Sequence, residues 1–151
     1  MLTVFWGVEG FFLLEFLPKS KKFNKEYACE LLVKLDLNIN NSSRGGLNRY
    51  LFHWDNARPH TAQLTKEKLE SLGASVLPHP PYSPDLAPSD FYLFGNLKRQ
   101  LEGVKFGSAI QLMNKIVEIT SLISYDERML VFLEWIRRLT VISNSDGDYY
   151  F

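Results

Sequence analysis

The chain has 151 residues, of which 46% are hydrophobic, and this is enough for one globular domain with a substantial buried core. Its 17 basic and 17 acidic side chains cancel, so no overall positive field marks a nucleic-acid binder, although local clusters could still contact phosphates. A single cysteine, Cys29, excludes an intramolecular disulfide framework and a cysteine-rich zinc site, and a small buried side chain on a helix is the expected role for it.

The apolar opening of the chain, residues 1–18, predicts a pair of strands rather than a signal peptide or a membrane span. It lacks a basic start and carries Glu9, Gly10 and Glu15 within the apolar stretch. Strands are expected at residues 2–8 and 11–17, and Glu9-Gly10 has the composition of the turn between them.

The next predicted element is a helix that starts after Asn24, a candidate N-cap, and ends near residues 38–41. Its apolar positions include Tyr27, Leu31 and Leu35, which fall on one helical face. The elements that follow are a surface loop at 40–48, a strand at 50–54, a helix at 61–72 ended by Gly73, and a short strand at 74–77. Alternation along residues 50–54 suits a strand covered on both faces.

The second half of the chain opens with a proline-rich extended loop at residues 78–88 and then becomes helical from Ser89. One helical face is predicted to carry Asp90, Phe94, Leu97 and Leu101, which places Asp90 on the core-facing stripe. Two capping-box patterns predict further packing helices, and their residues are Ser108 with Gln111 and Ser124 with Glu127. A turn is expected at residues 145–148.

Two acids, Asp55 and Asp90, are the main candidates for a functional site. Asp55 closes a strand and Asp90 opens a helix, so both carboxylates can stand at element ends that face one cleft. Two such groups could hold a hard divalent cation. Other roles stay open, because Asp55 could cap the following helix, Asp90 could complement a helix dipole, and Asp85 competes as the second ligand.

Nearby histidines and basic residues give weaker signals. His53 and His60 flank Asp55 and suggest a mixed-ligand metal site, but they do not complete the three or four ligands that zinc prefers. Four cationic side chains could contact phosphates or could form an ordinary solvated face, and they are Arg58, Lys98, Arg99 and Lys105. The sequence has no phosphate-cradling glycine loop and no G-x-S-x-G elbow.

Two long motifs, HWDNARPH at residues 53–60 and VLPHPPYSPDLAPSD at residues 76–90, closely resemble the catalytic domain of mariner transposases, of the Tc/mariner superfamily. The 34 residues between Asp55 and Asp90 match the spacing of that family's second and third acids. The resemblance extends upstream through Trp6 and downstream to residues 145–149, so it covers essentially the whole chain.

The resemblance implies an α/β fold of the ribonuclease H-like type, with a mixed sheet flanked by helices. In this family three acids hold two Mg²⁺ or Mn²⁺ ions for DNA strand cleavage and transfer. Asp55 matches the second acid and Asp90 the third, whereas Asp85 matches a position that the family does not use as a ligand. The resemblance also implies DNA as the partner, a homodimer and a nuclear location, with no membrane and no small-molecule substrate.

The same resemblance predicts which parts of the family's enzyme this chain lacks. The family's first acid and the central strand that carries it lie upstream of the matching segment, and Glu9 cannot replace that acid because it falls at a turn. The family's helix-turn-helix modules have no counterpart either. Residues 1–151 are therefore expected to form a single truncated catalytic domain that is inactive alone. The alternatives are a non-catalytic remnant that binds DNA or another transposase copy, and a reading frame without function.

Overall fold

The computed structural model describes residues 1–42 and 45–144, and the chain divides into two units. The first unit comprises Met1–Trp6 and Phe11–Pro81, and the second comprises Gly7–Gly10 and Tyr82–Phe151. The turn expected at residues 145–148 lies outside the described residues.

The apolar opening forms the predicted strand pair, β1 (Leu2–Gly7) and β2 (Gly10–Phe16), which are hydrogen-bonded neighbours in one sheet. The Leu17 N–H donates to the Met1 carbonyl at 2.8 Å and closes the open end of the pair. Gly10 has a φ of +146°, which a residue without a Cβ adopts at least cost, so the turn favours glycine at this position. The prediction of two strands joined by a short turn is confirmed.

The first helix, α1 (Lys25–Asn41), supplies most of the core of the first unit. Asn24 caps it as predicted, because its Oδ1 accepts the Tyr27 N–H at 2.9 Å. Cys29 is buried on this helix, as the sequence predicts. The central cluster of buried apolar side chains comprises Leu32, Leu35, Ile39, Leu47, Phe52 and Leu69.

A second pair of strands lies in the first unit, and it is parallel. β3 (Leu51–Phe52) pairs with β4 (Ser75–Val76). Two helices, α2 (Arg58–Thr61) and α3 (Gln63–Ser71), form the crossover that parallel pairing requires. Because the crossover starts directly after β3, it places Asp55 where the chain leaves the sheet.

The strand predicted at residues 50–54 is shorter than expected. The Leu77 N–H donates to the Phe52 carbonyl at 2.8 Å, and beyond Phe52 the chain leaves the sheet. Phe52 is 5% exposed, whereas Leu51 is 62% exposed. The prediction of a strand covered on both faces is therefore wrong at Leu51, which is mostly exposed, while Phe52 on the other face belongs to the core.

The described part of the second unit is mainly helical. Its elements are a 3₁₀ turn at Pro84–Leu86, a π-helical turn at Ser89–Leu93, α4 (Phe94–Leu101), α5 (Ala109–Ser121) and α6 (Tyr125–Asn144). The two predicted capping positions are confirmed, because Ser108 Oγ accepts the Gln111 N–H at 3.2 Å and Ser124 Oγ accepts the Glu127 N–H at 3.1 Å. No described helix is long and apolar enough to cross a membrane.

A long-range hydrogen bond ties α6 to the turn between β1 and β2. Arg128 Nε donates to the Val8 carbonyl at 2.8 Å, and its Nη1 donates to the Ile123 carbonyl at 2.6 Å. Both acceptors are backbone oxygens that the guanidinium satisfies with charge-assisted bonds. The second unit is therefore assembled from two distant parts of the sequence.

The π-helical turn changes which residues of the following helix face the core. Leu93 is 0% exposed and Leu97 is 4% exposed, whereas Phe94 is 37% exposed and Asp90 is also exposed. A π turn is wider than an α turn, so it shifts the angular position of the residues before it. The prediction that Asp90 lies on the core-facing stripe is therefore wrong, and its carboxylate lies at the surface instead.

Candidate functional site

Asp55 belongs to the first unit, and the chain that follows it holds one side of its carboxylate. Its Oδ1 accepts the Ala57 N–H at 3.0 Å and lies 2.7 Å from the Nδ1 of His60. Its Oδ2 has no hydrogen-bond partner among the described residues, and 59% of the side chain is exposed. Asp55 therefore shapes the turn into α2 with one oxygen and presents the other outward, where it can bind a cation.

His60 is itself fixed by aromatic neighbours. Its ring stacks on Trp54 with centroids 3.9 Å apart and planes 9° from parallel, and its edge contacts the ring of Phe23 at 5.6 Å. Only 14% of its side chain is exposed. Because the carboxylate can only accept, the His60 Nδ1–H is the donor to Asp55, and the packed ring orients that carboxylate.

His53 and His79 form a second pair beside this acid. His53 Nε2 lies 2.9 Å from His79 Nδ1, and Asn56 Nδ2 donates to the His79 carbonyl at 2.7 Å. Burial, followed by the neighbouring His79, lowers the pKa of His53 to about 4, and Asp55 opposes this shift in part. His53 is therefore neutral at pH 7 and links the end of β3 to the proline-rich loop.

A cleft of about 480 Å³ lies beside Asp55 within the first unit. Its wall is partly apolar, from Trp54, Leu77 and Pro78, and partly charged, from Lys66 and Asp55. The cleft gives an external group room to approach Asp55.

Asp90 belongs to the second unit and is the second residue of the π-helical turn. Its backbone N–H donates to the Ala87 carbonyl at 2.9 Å, and its side chain is exposed. Ala87 and Leu86, which precede it, are 7% and 0% exposed. An exposed acid therefore lies three residues after a buried anchor, and π turns of this kind are frequent at functional sites.

Arg138 of α6 supports both sides of the segment that carries Asp90. Its Nη1 donates to the Asp85 carbonyl at 2.8 Å, and its guanidinium lies 4.1 Å from the centre of the Phe91 ring. Its Nε donates to Glu134 Oε1 at 3.0 Å. Hydrogen bonds from Arg137 and then Arg138 lower the pKa of Glu134 to about 2, so this acid stays ionised.

We expect Arg138→Met to lower the free energy of unfolding by about 1.5–3 kcal/mol, because the buried side of the segment loses a charge-assisted hydrogen bond. Urea unfolding followed by circular dichroism measures the change. Arg137→Met is the matched control, since Arg137 also pairs with Glu134 but its side chain is 49% exposed, and we expect a loss below about 1 kcal/mol. Equal losses from the two variants would contradict a supporting role of Arg138.

The donors present suit a hard cation better than zinc. Asp55 supplies a carboxylate oxygen, the ligand that Mg²⁺ and Mn²⁺ prefer. The two histidines that suggested a mixed-ligand site are each engaged through one ring nitrogen, His53 with His79 and His60 with Asp55. Among residues 1–42 and 45–144 no group of three or more histidine, cysteine or acidic side chains is placed to hold a metal ion.

The four basic side chains singled out in the sequence are all exposed, and they are Arg58, Lys98, Arg99 and Lys105. Their exposure is compatible both with phosphate contacts and with a solvated face. Sequence reasoning missed the supporting side chains His79 and Arg138. The motif around His79 was noted, but nothing local pairs it with His53, and Arg138 is 53 residues from its acceptor.

Comparisons with known proteins find that the chain is similar to transposases. The family described as transposase (partial DDE domain) matches residues 1–49. The chain is 32% identical to the histone-lysine N-methyltransferase SETMAR of Homo sapiens over 153 residues, which cover 99% of this chain and 22% of that protein. It is 35% identical to the mariner Mos1 transposase of Drosophila mauritiana over 111 residues, which cover 72% of this chain and 32% of that protein.

Two solved structures are similar over 99% of the chain. The Mos1 transposase catalytic domain with Raltegravir and Mg gives a TM-score of 0.87 at 28% identity, and 76% of that chain is covered. The Mos1 paired-end complex with the left transposon end gives a TM-score of 0.89 at 29% identity, and 44% of that chain is covered. These likenesses confirm the predicted ribonuclease H-like α/β fold, while the lack of its first strand stays a prediction. The chain spans about a fifth of the length of SETMAR and about a third of the length of the Mos1 transposase.

Proposed function

Since this chain is a member of the mariner transposases and corresponds to part of their catalytic domain, we propose that Asp55 and Asp90 are two ligands of a metal site for DNA strand cleavage and transfer. The observation that carries the proposal is the exposed Asp55 side chain, whose carboxylate Ala57 and His60 hold by Oδ1 while Oδ2 has no hydrogen-bond partner among the described residues. Such pre-organisation lowers the cost of binding a cation.

Mg²⁺ or Mn²⁺ is the proposed cofactor, because both donors are carboxylates and the Mos1 catalytic domain has been solved with either metal. When bound at such a site, these ions activate the attacking oxygen and stabilise the leaving oxygen at phosphorus. The protein's own part is to aim its oxygens. His60 orients Asp55, and Arg138 holds the segment around Asp90.

DNA is the proposed partner, and a homodimer in the nucleus is the proposed setting. One solved relative is a Mos1 complex with a transposon end, and another is a Mos1 strand transfer complex. The exposed side chains of Arg58, Lys98 and Arg99 supply positive charge that can contact phosphates.

We further propose that residues 1–151 do not cleave DNA alone. Two of the family's three acids are matched in this chain and the first is not. Metal ions held without that acid would misplace the attacking oxygen, and a small displacement of a nucleophile costs about 10²-fold in rate. Plasmid DNA incubated with the chain and Mn²⁺ should therefore stay supercoiled. Robust nicking that Asp90→Asn abolishes would overturn this part of the proposal.

Thermal unfolding with and without Mn²⁺ tests the metal site. The midpoint should rise with Mn²⁺ in the unmodified chain, by the equivalent of about 2.7 kcal/mol when the metal is at 100 times its dissociation constant. Asp55→Asn and Asp90→Asn should each reduce the rise. Asp126→Asn, at an exposed acid in the first turn of α6, should keep it. A rise that survives in the Asp55→Asn, Asp90→Asn double variant would overturn the assignment of these ligands.

A non-catalytic protein that binds DNA or a second transposase copy is the other candidate function. The exposed cationic side chains and the intact caps of α5 and α6 favour it. DNA affinity that falls steeply with salt but is indifferent to Mn²⁺ and to both aspartate substitutions would support this function over the metal-dependent one.

A further inference from the structure

One side of α6 carries a row of large apolar side chains that are exposed. We call this row the outer face of α6, and its members are Leu130, Leu133, Ile136 and Val141. Leu130 is 67% exposed and Leu133 is 51% exposed. Single exposed apolar side chains are ordinary, but several on one side of a helix mark an interaction surface.

The second unit holds α6 by its opposite side. Val131 is buried on that side. Arg128 Nε donates to the Val8 carbonyl, and Arg138 Nη1 donates to the Asp85 carbonyl, each at 2.8 Å. Both acceptors belong to the same unit as the helix. The fold of this unit therefore fixes α6 through its inner side, and the apolar side chains of the outer face gain stability only when another surface covers them.

Charged residues flank the centre of the outer face symmetrically. Asp126 lies four residues before Leu130, and Arg137 lies four residues after Leu133. A 4-3-4 spacing keeps all four residues on one side of an α-helix. Both charged side chains are exposed. The surface thus has an apolar centre, an acid towards the start of the helix and a base towards its end.

Arg137 also bonds to an acid of its own helix, and this bond leaves it able to contact another carboxylate. Its Nε and Nη2 donate to the two carboxylate oxygens of Glu134, at 2.8 and 2.7 Å. A guanidinium has five N–H donors, so further donors are available on the same group. The basic end of the surface can therefore take part in an ion pair between chains.

This pattern is complementary to itself when two copies of the helix run antiparallel. Leu130 of one copy then lies against Leu133 of the other, and Asp126 lies against Arg137 at both ends of the contact. A parallel pair would instead place like charges together and align the two helix dipoles, and both effects are unfavourable. The charge pattern therefore favours a second copy of this chain, in antiparallel orientation, as the occupant.

We propose that the outer face of α6 pairs with the same face of a second copy about a two-fold axis. Such an isologous contact uses one surface twice, as in most homodimers. The inference rests on the homodimer proposed above and names its surface, but it requires neither metal nor DNA. A pair of 20-residue helices forms a small interface, so the dimer should dissociate on dilution.

Sedimentation velocity of the chain at increasing concentration, at low salt and without DNA, tests the surface. The unmodified chain should shift from monomer to dimer. Leu133→Lys should raise the dissociation constant of the dimer at least about 10-fold, because it places a charge in the apolar centre. Leu37→Lys is the matched control, since Leu37 is a similarly exposed leucine on α1, and it should leave the dissociation constant unchanged.

Two charge reversals test the antiparallel register. Asp126→Lys and Arg137→Glu should each raise the dissociation constant about 10-fold at low salt, because each creates two like-charge contacts per dimer. An equimolar mixture of the two variants should recover the dimer, since both contacts in a mixed dimer then join opposite charges. Circular dichroism checks that each variant is folded. If Leu133→Lys did not fold, the mixture would still decide, because recovery on mixing requires a contact between chains.

The possible failures are distinguishable. A chain that stays monomeric at every concentration would overturn the proposed homodimer together with this inference. A dimer that is indifferent to Leu133→Lys and to both charge reversals would overturn the surface alone, and the homodimer would use another one. Charge variants that each weaken the dimer but do not recover it on mixing would overturn the antiparallel register.

Discussion

Phe52→Ala should lower the free energy of unfolding by about 3–5 kcal/mol, among the largest losses that a single substitution can cause in this chain. Phe52 is 5% exposed and belongs to the central cluster of the first unit. Its ring lies 5.7 Å from that of Phe5 and 4.9 Å from that of Trp54, so truncation leaves a cavity bordered by aromatic rings. The cost has two parts. The favourable free energy of moving the ring from water into the core is lost, and a cavity remains where the ring was.

The matched control for this prediction is the neighbouring residue of the same strand. Leu51 is 62% exposed, so Leu51→Ala should change the free energy of unfolding by less than about 0.5 kcal/mol. Urea unfolding of the three proteins, followed by tryptophan fluorescence and circular dichroism, gives the comparison. Similar losses from the two alanine variants would mean that the core of the first unit is not organised around Phe52.

His60→Ala should raise the dissociation constant for Mn²⁺ about 10–100-fold, given the metal site proposed above. Side chains that orient a metal ligand from behind typically contribute this much to affinity. The 2.7 Å bond to Asp55 Oδ1 and the stack on Trp54 hold the carboxylate in one orientation, and alanine removes both contacts. Mn²⁺ titration followed by electron paramagnetic resonance measures the affinity without any need for cleavage.

His60→Asn is the informative companion, because an asparagine amide places an N–H donor close to the position of the imidazole Nδ1–H. We expect it to recover part of the lost affinity while it still lacks the aromatic stack. Thermal unfolding of each variant without metal separates a folding defect from a local one. An unchanged Mn²⁺ affinity in folded His60→Ala would show that Asp55 does not need this support.

Local signals in the sequence predicted much of the fold. The caps at Asn24, Ser108 and Ser124 each depend on residues within three positions, so one short stretch contains all the information. The turn at Gly10 is local in the same way. The motifs that carry Asp55 and Asp90 were equally readable, because each is a continuous run of residues.

Features that depend on distant partners or on irregular geometry could not be predicted. The extent of β3 depends on its pairing with β4, which lies beyond two helices. The exposed position of Asp90 depends on a π-helical turn, and apolar spacing alone gives no sign that an α-helical register is interrupted. The left-handed backbone of Tyr82 could not be predicted from residue type either, because tyrosine disfavours this conformation.

The hydrogen bond between Arg128 and the Val8 carbonyl spans 120 positions of the sequence and has a consequence for how the chain can be divided. A single cut between Pro81 and Tyr82 would leave the second unit without residues 7–10, which it draws from the opening hairpin. The guanidinium of Arg128 would then lose an acceptor on its buried side. The second unit is therefore complete only when both ends of the sequence are present. Bringing these ends together closes a long loop, which costs entropy before the contacts form. The two units are thus interleaved along the polypeptide.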